Sequence, residues 1–419
     1  MSLSGRFEWP LVMLFVILAA ISRSPALIVL AAGGLVVWLV VWLTARLALT
    51  ALETVVEVSP DRVVAGEDLV ATVRIANRKP IPLPWLDVRL FLPEGVEPAH
   101  VGTLAPLAER GPLPPGMPRG WVNAGFAPRG QERLTVRFPL TSAQRGAYAI
   151  GPVRLRASDW LGFMSVERTI PVALPVVAYP APLATRDRHL PSLRPLAEAA
   201  VRRGLLPDPL RFRGVREHQT GDPRKEIHWK ASARLASLQT KLYEPATSLD
   251  AVFLVNVASY EQFWVQADPE AVETVISATA ELLRIAADAG RQVGMVTNGL
   301  DNITHERPRS ALGRGPRPLR RTLEILARLG PYAFASPESV FLRERGRLPT
   351  GAALIIVTPL LGRGLAEAAI ALRHAHHRVL VLSVKRIDRA LAARLRSQNV
   401  ASDTLDAREA AVAGRTIGA

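Results

Sequence analysis

Residues 211–234, R-F-R-G-V-R-E-H-Q-T-G-D-P-R-K-E-I-H-W-K-A-S-A-R, hold the densest set of side chains able to do chemistry in this 419-residue chain. Arginines, two histidines, an aspartate and a tryptophan surround a Gly221-Asp222-Pro223 turn. Guanidinium groups take carboxylates or phosphates through paired N–H donors, so the stretch reads as a recognition surface. Asp222 with His218 or His228 has the makings of an acid–base pair. No nucleophile and no oxyanion-binding group accompanies it, which argues against turnover. The plainer alternative is a structural corner, in which Asp222 caps a helix and pairs with Arg216 or Arg224 while the other charges face water.

Asp222 ahead of Pro223 is a helix-start signal, because the carboxylate can take free backbone N–H groups and proline suits the first helical position. A short helix from about Pro223 puts Ile227 and Ala231 one turn apart, and likewise Lys230 and Arg234. Trp229 is expected to be packed, with its indole N–H bonded.

The stretch resembles the signature of the bacterial family known as domain of unknown function 58. The residues that carry the resemblance are Arg216, Gly221, Asp222, Arg224, Ile227, Trp229, Ser232, Ala233 and Arg234; His218 stands where the family more often has tyrosine. The resemblance implies a von Willebrand factor A-like fold for the last domain. Metal-binding members of that fold end their first strand in Asp-x-Ser-x-Ser. The matching positions here are Asn256, Ala258 and Tyr260, and a later strand ends at Thr358. Divalent Mg²⁺ needs carboxylate oxygens in a near-octahedral array, so the metal site reads as degenerate and no cofactor is expected. The resemblance also implies partnership with a MoxR-type AAA+ ATPase and a cytoplasmic body.

Other chemistry is excluded motif by motif. No Gly-x-x-x-x-Gly-Lys loop is present, and Gly313-Arg314-Gly315 lacks the strand–helix context of a dinucleotide site. His374, His376 and His377 read as solvated surface, without a neighbouring carboxylate to make a metal cluster. The absence of cysteine removes disulfides, thiol nucleophiles and cysteine metal sites together.

The elements that must position the stretch follow from composition and period. Hydrophobic residues make up 49% of the chain, prompting a search for membrane segments. Two apolar runs lie near the start, Pro10–Ile21 and Ala26–Thr44, the second long enough to cross a bilayer. Two helices joined by a turn are expected; the alternative is a signal peptide ending near Ala20-x-Ser22. Arg6, Arg23 and Arg46 give one basic residue to each flank and leave orientation weakly set. From about Thr54 to Tyr179 the period falls to two, as on Leu69-Ala71-Val73-Ile75, and on Leu86-Val88-Leu90 against Asp87 and Arg89. That alternation argues an antiparallel sandwich with one wet and one dry face. Beyond Ala251, apolar strands alternate with helices, arguing a mostly parallel covered sheet whose strand ends offer Asn256, Ser259, Thr297, Asn298 and Thr358.

The expected plan is therefore multidomain: a transmembrane helical hairpin (1–50), a β-sandwich (51–182), a linker (183–209) with a short helix near Leu196–Val201, the signature (210–245) and an α/β von Willebrand factor A-like, Rossmann-like domain (246–419). The expected protein is a multi-pass membrane protein touching lipid through residues 10–45, a non-enzymatic adaptor or substrate of the ATPase in assembling envelope or other complexes. On this reading Asp222→Ala or Trp229→Ala abolishes ATPase capture. A net charge of +15 suggests a binder of anionic lipid or nucleic acid as the alternative. No basic patch interleaved with aromatics supports the nucleic-acid form, so none is expected. A hydrolase, the third class, lacks a nucleophile.

Overall fold

A computed structural model of the chain describes residues 2–5, 13–14, 16–17, 21, 25–99, 120–159, 164–182, 206–219, 227–246, 250–349 and 351–405. It divides into two compact units, Met1–Tyr179 and Pro180–Ala419.

The first unit opens on strand β1 (Ser2–Gly5) and then helix α1 (Pro25–Ala48). At 1.5 Å per residue α1 is ~36 Å long, enough to cross ~30 Å of hydrocarbon. Most of its side chains are exposed and apolar, but Ala45 and Ala48 are buried in the core of the β-rich region. Trp38 and Trp42 stack at 6.3 Å near that end, and the Arg46 guanidinium lies 5.1 Å from the Trp42 ring. This is the one candidate membrane helix among the described residues. The first apolar run lies largely outside them, so the expected two-helix arrangement is not shown.

The strands that follow are β2 (Leu52–Ser59), β3 (Arg62–Val64), β4 (Asp68–Asn77), β5 (Trp85–Leu92), β6 (Val96–Pro98), β7 (Gly120–Phe126), β8 (Arg133–Ser142), β9 (Gly146–Ile150), β10 (Val153–Ser158), β11 (Met164–Ile170) and β12 (Leu174–Tyr179). They form antiparallel sheets ordered β1-β11-β10-β5-β7 and β2-β4-β8-β6, and a third, β3-β12-β9, in which β3 and β12 run parallel. Leu69, Ala71, Val73 and Ile75 fill one core together with Leu86, Val88 and Leu90 of β5. One expectation fails on β5. Asp87 and Arg89, read as its wet face, are both buried. They pair with each other at 2.7 Å, and the Arg89 guanidinium lies 4.0 Å from the Trp121 ring. Mutual pairing and an aromatic lid let charges sit where alternation expects solvent.

Lys79 fastens α1 to this body. Its Nζ donates to the carbonyl oxygens of Leu47 (2.6 Å), Ala48 and Thr50 (3.2 Å), closing the C-terminal end of the helix. Burial pushes its ammonium down to about 8, below the ~10.4 of an unfolded lysine. Between those values the unfolded chain holds a proton that the folded chain has shed, so stability rises with pH across that window. Below about 8 the cost of burying the charge is present in full. The thermal midpoint of the full chain is expected to climb from pH 8 towards pH 10, and Lys79→Met is expected to flatten the climb.

The second unit begins with β13 (Leu206–Glu217), α2 (Trp229–Leu235) and β14 (Gln239–Ala246). β13 starts inside the stretch read as a linker, while the helix expected near Leu196–Val201 lies outside the described residues. Then come β15 (Asp250–Val255), α3 (Pro269–Asp288), β16 (Gln292–Thr297), β17 (Gly299–Asp301), β18 (Arg309–Gly313), α4 (Pro316–Arg328), β19 (Leu329–Ala333), α5 (Pro337–Glu344), β20 (Ala353–Thr358), α6 (Arg363–His374), β21 (Arg378–Ser383), α7 (Arg389–Ser397) and β22 (Ala401–Thr404). The six-stranded sheet is ordered β18-β16-β15-β20-β21-β22. It is mixed: β16, β15, β20, β21 and β22 are parallel, and β18 runs antiparallel to β16. Such strands are covered on both faces, which is why β20 is buried at every position. The chain leaves β15 towards β16 on one side and later returns to β20 on the other. The carboxyl ends of β15 and β20 therefore flank a topological switch point, where sheets of this kind hold ligands.

Candidate functional site

Polar and aromatic side chains gather at two places in the second unit, the signature hairpin and the strand ends. In the hairpin, β13 pairs antiparallel with β14, with Arg216 opposite Thr240 and Glu217 opposite Gln239. Ile227 is buried and forms a β-bridge with Thr240. That bridge corrects the expected helix start: the chain is still extended at Ile227, and the helix begins at Trp229. Its described cap is His228, whose Nδ1 accepts from the Ala231 N–H at 3.0 Å. Ser232 ties the helix to the hairpin, its Oγ donating to the His228 carbonyl (3.1 Å) and accepting from the Gln239 N–H (2.8 Å). His218 Nδ1 lies 2.9 Å from Thr240 Oγ1.

Trp229 is the second correction. Expected to be packed, it is 69% exposed. It occupies the first position of a short helix. Leu235 of the same helix and Leu238 just after it are exposed, as are Lys230, Ala233 and Arg234, while Arg216, His218 and Ser232 are half-buried. Gly221, Asp222 and Arg224 lie outside the described residues, and the Asp222 cap with them. The cap role of His228 was missed because cap rules favour short oxygen-bearing side chains.

At the strand ends the structure brings Asn256, Asn298 and Thr358 together, all buried. Asn256 Oδ1 accepts from the Ala258 N–H and from Asn298 Nδ2, both at 2.8 Å. Its Nδ2 donates to Thr358 Oγ1 (2.8 Å) and the Ala258 carbonyl (3.2 Å). Thr358 Oγ1 donates onward to the Leu360 carbonyl at 2.6 Å. Asn298 Oδ1 accepts from the Val257 N–H, and its Nδ2 also donates to the Ala335 carbonyl. A primary amide offers two acceptor lone pairs and two N–H donors, so Asn256 has spent its full capacity inside the protein. Asp301, the nearest other carboxylate considered from sequence, is buried too. It pairs with Arg328 at 3.0 Å and accepts from the Ile303 and Thr304 N–H groups.

Around this closed network the surface is aromatic and mixed in charge. Tyr260 and Trp264, from the segment after β15, are exposed, as are Tyr332 of β19 and Phe334. Lys385 Nζ lies 4.9 Å from the Tyr260 ring and 3.3 Å from Asp268. Asp268 caps α3 by accepting from the Ala271 N–H, and that bond, with Lys385 beside it, holds its carboxyl below the ordinary range. A cleft of about 190 Å³ lies beside Asn256 and Tyr260, bordered by Glu261, Glu338 and Arg363. A Cβ on Gly362 would sit 3.1 Å from Glu261 Cγ, and one on Gly364 would sit 3.1 Å from Glu338 Cδ. Without those Cβ atoms both carboxylates approach the start of α6, and its positive end is met from within.

The histidine group reads differently from expectation in one member. His374 and His376 are exposed, but His377 is buried, and burial, with His376 alongside, holds its imidazole below the usual range. Among the described residues no three histidine, aspartate or glutamate side chains come together as a metal would need.

Residues 214–398 match the family model described as "Protein of unknown function DUF58". The chain is 27% identical over 239 residues to the uncharacterized protein YeaD of Bacillus subtilis, covering 56% of this chain and 53% of that one. It thus spans about half the length of this curated relative. Together the two findings support the DUF58 resemblance read from the signature. Solved structures similar to part of the chain include a non-cellulosomal cohesin from Archaeoglobus fulgidus, at 15% identity and a TM-score of 0.18, covering 30% of this chain and 92% of that one. A type II cohesin domain from the cellulosome of Acetivibrio cellulolyticus matches at 10% identity and a TM-score of 0.18, covering 30% and 95%.

Proposed function

We propose that a chain whose residues 214–398 match this family of unknown function is a membrane-anchored, non-enzymatic interaction protein that docks a MoxR-type AAA+ ATPase. The observation that carries the reading is Trp229, 69% exposed on an element braced by Ser232 and Ile227. A large aromatic held rigidly in water is costly unless a partner covers it, and tryptophan and arginine dominate the binding energy of interfaces. Trp264 and Tyr332 supply further exposed aromatic surface near the strand ends.

The domain readings belong to the same proposal. The α/β sheet, with a buried polar cluster at its switch point, is a von Willebrand factor A-like domain whose metal positions have been rebuilt as an amide network. The β-rich unit is read as an antiparallel sandwich, on its sheets β1-β11-β10-β5-β7 and β2-β4-β8-β6. The decisive experiment is co-purification of the ATPase with the full chain from detergent-solubilised membranes, wild type against Trp229→Ala. Undiminished capture by a folded variant would overturn the reading.

The anchor is read as a two-helix hairpin with the body in the cytoplasm. β1 pairs with β11 of the β-rich unit, and α1 lies between β1 and β2 in sequence. A chain that leaves a folded body and rejoins it crosses a bilayer an even number of times. That supports a second crossing between β1 and α1, in the segment that holds the first apolar run. Because the native chain has no cysteine, Ser2→Cys and Val55→Cys can be labelled singly with an impermeant maleimide. Both are expected to react from the cytoplasmic face; labelling from opposite faces would leave a single crossing.

A further inference from the structure

The opposite edge of the α/β sheet, where strands begin, is rich in arginine. Arg378 opens β21, Arg373 lies in the last turn of α6, and Arg396 lies in the last turn of α7. All three line one cleft of about 470 Å³, with Asn399, Ser402 and a single carboxylate, Asp403. The floor is apolar, supplied by the first halves of β20 and β21. A plain structural account covers part of this arrangement. Cations near helix C-termini meet the negative end of the dipole, Arg373 donates to the His377 carbonyl at 3.3 Å, and Arg378 donates to the Gly351 carbonyl at 3.4 Å.

That account does not cover the rest. The Arg396 side chain makes no hydrogen bond or ion pair with a described residue, although it is exposed and lines the cleft. Burial holds the Arg378 guanidinium below its usual range. Burial, with repulsion from Arg378, does the same for buried Arg291 at the start of β16. Cationic groups are therefore crowded at one end of the sheet, and the cleft wall carries three guanidinium groups against one carboxylate. Its volume falls among small-molecule sites, roughly 300–1,000 Å³, and exceeds what a lone inorganic anion would fill.

We propose that this cleft binds a soluble phosphate monoester, its phosphate held by Arg373, Arg378 and Arg396 and its organic body laid over the apolar floor. Guanidinium forks match phosphate oxygens in paired hydrogen bonds. Asp403 stands at the rim, where it accepts from its neighbour Thr404 N–H and repels a second anionic group. The site lies at the beginnings of the strands, away from the network at their ends, so a ligand here acts on the docking protein without sharing its aromatic surface.

The test uses the purified full chain in neutral detergent, titrated calorimetrically with adenosine 5′-monophosphate and with inorganic phosphate. The monoester is expected to bind more tightly than phosphate. Arg396→Gln is expected to weaken it about ten-fold or more with the thermal midpoint unchanged, as fits loss of a charge-assisted bond by an exposed side chain. Asp403→Asn is expected to tighten it. No heat with the monoester up to millimolar concentration, or an affinity indifferent to Arg396→Gln, would overturn the proposal. A parallel arm compares phosphatidic acid with phosphatidylcholine vesicles: Arg396-dependent vesicle capture without a response to the soluble monoester rejects the soluble ligand in favour of a lipid headgroup.

Discussion

Asn256→Ala is expected to destabilise the α/β region by about 3–5 kcal/mol, among the largest effects of any single substitution in this chain. The amide occupies four hydrogen bonds in a buried setting: two accepted from Ala258 N–H and Asn298, two donated to Thr358 and the Ala258 carbonyl. Truncation leaves those partners buried and unpaired, and each such group costs about 1–3 kcal/mol. The loss should appear as a lower thermal midpoint and earlier urea unfolding of the second unit. Asn256→Asp is the informative control. A carboxylate keeps the two accepted bonds but cannot donate, and it turns an anion towards the Ala258 carbonyl, so an intermediate loss is expected. Wild-type protein titrated with Mg²⁺ or Mn²⁺ is expected to give no binding heat. Heat that disappears in Asn256→Ala would mean that the network opens to a cation, against the closed reading.

Trp229→Ala is expected to have the largest effect on binding. An aromatic anchor at the centre of an interface contributes about 2–4 kcal/mol, so capture of the ATPase should fall roughly 30- to 700-fold. Because Trp229 is exposed, the folded state loses little contact and the thermal midpoint should hold. Ile227→Ala separates docking from folding. Ile227 is buried against the hairpin, so its truncation should lower stability by about 2–5 kcal/mol before it touches recognition. Equal loss of capture in both variants, with equal loss of fold, would reduce the tryptophan to a structural part.

How much of this was readable beforehand depends on how local each cause is. The strands of the mixed sheet are continuous apolar runs, and Gln292–Thr297 could be bounded to the residue from its neighbours alone. β4 was legible because each buried side chain lies two residues from the next. Asp87 and Arg89 misled because alternation counts charge as wet, and the group that shelters them, Trp121, lies on another strand. β13 was hidden by Pro207 and Pro209, which suggest a connector; the shifts in register between Pro207 and Gly214 accommodate them. Trp229 was misjudged on bulk, when its exposure follows from the Ile227–Thr240 bridge that delays the helix. At the strand ends the right residues could be named, but not their bonding. Asn256 meets partners 42 and 102 residues away, and only the folded sheet brings them together.

The grip of Lys79 on the last carbonyls of α1 has a mechanical consequence. With Ala45 and Ala48 buried in the β core and Leu52 already in β2, no slack joint separates anchor from body. A tilt of that helix would turn the β-rich unit with it, as a lever turns its load.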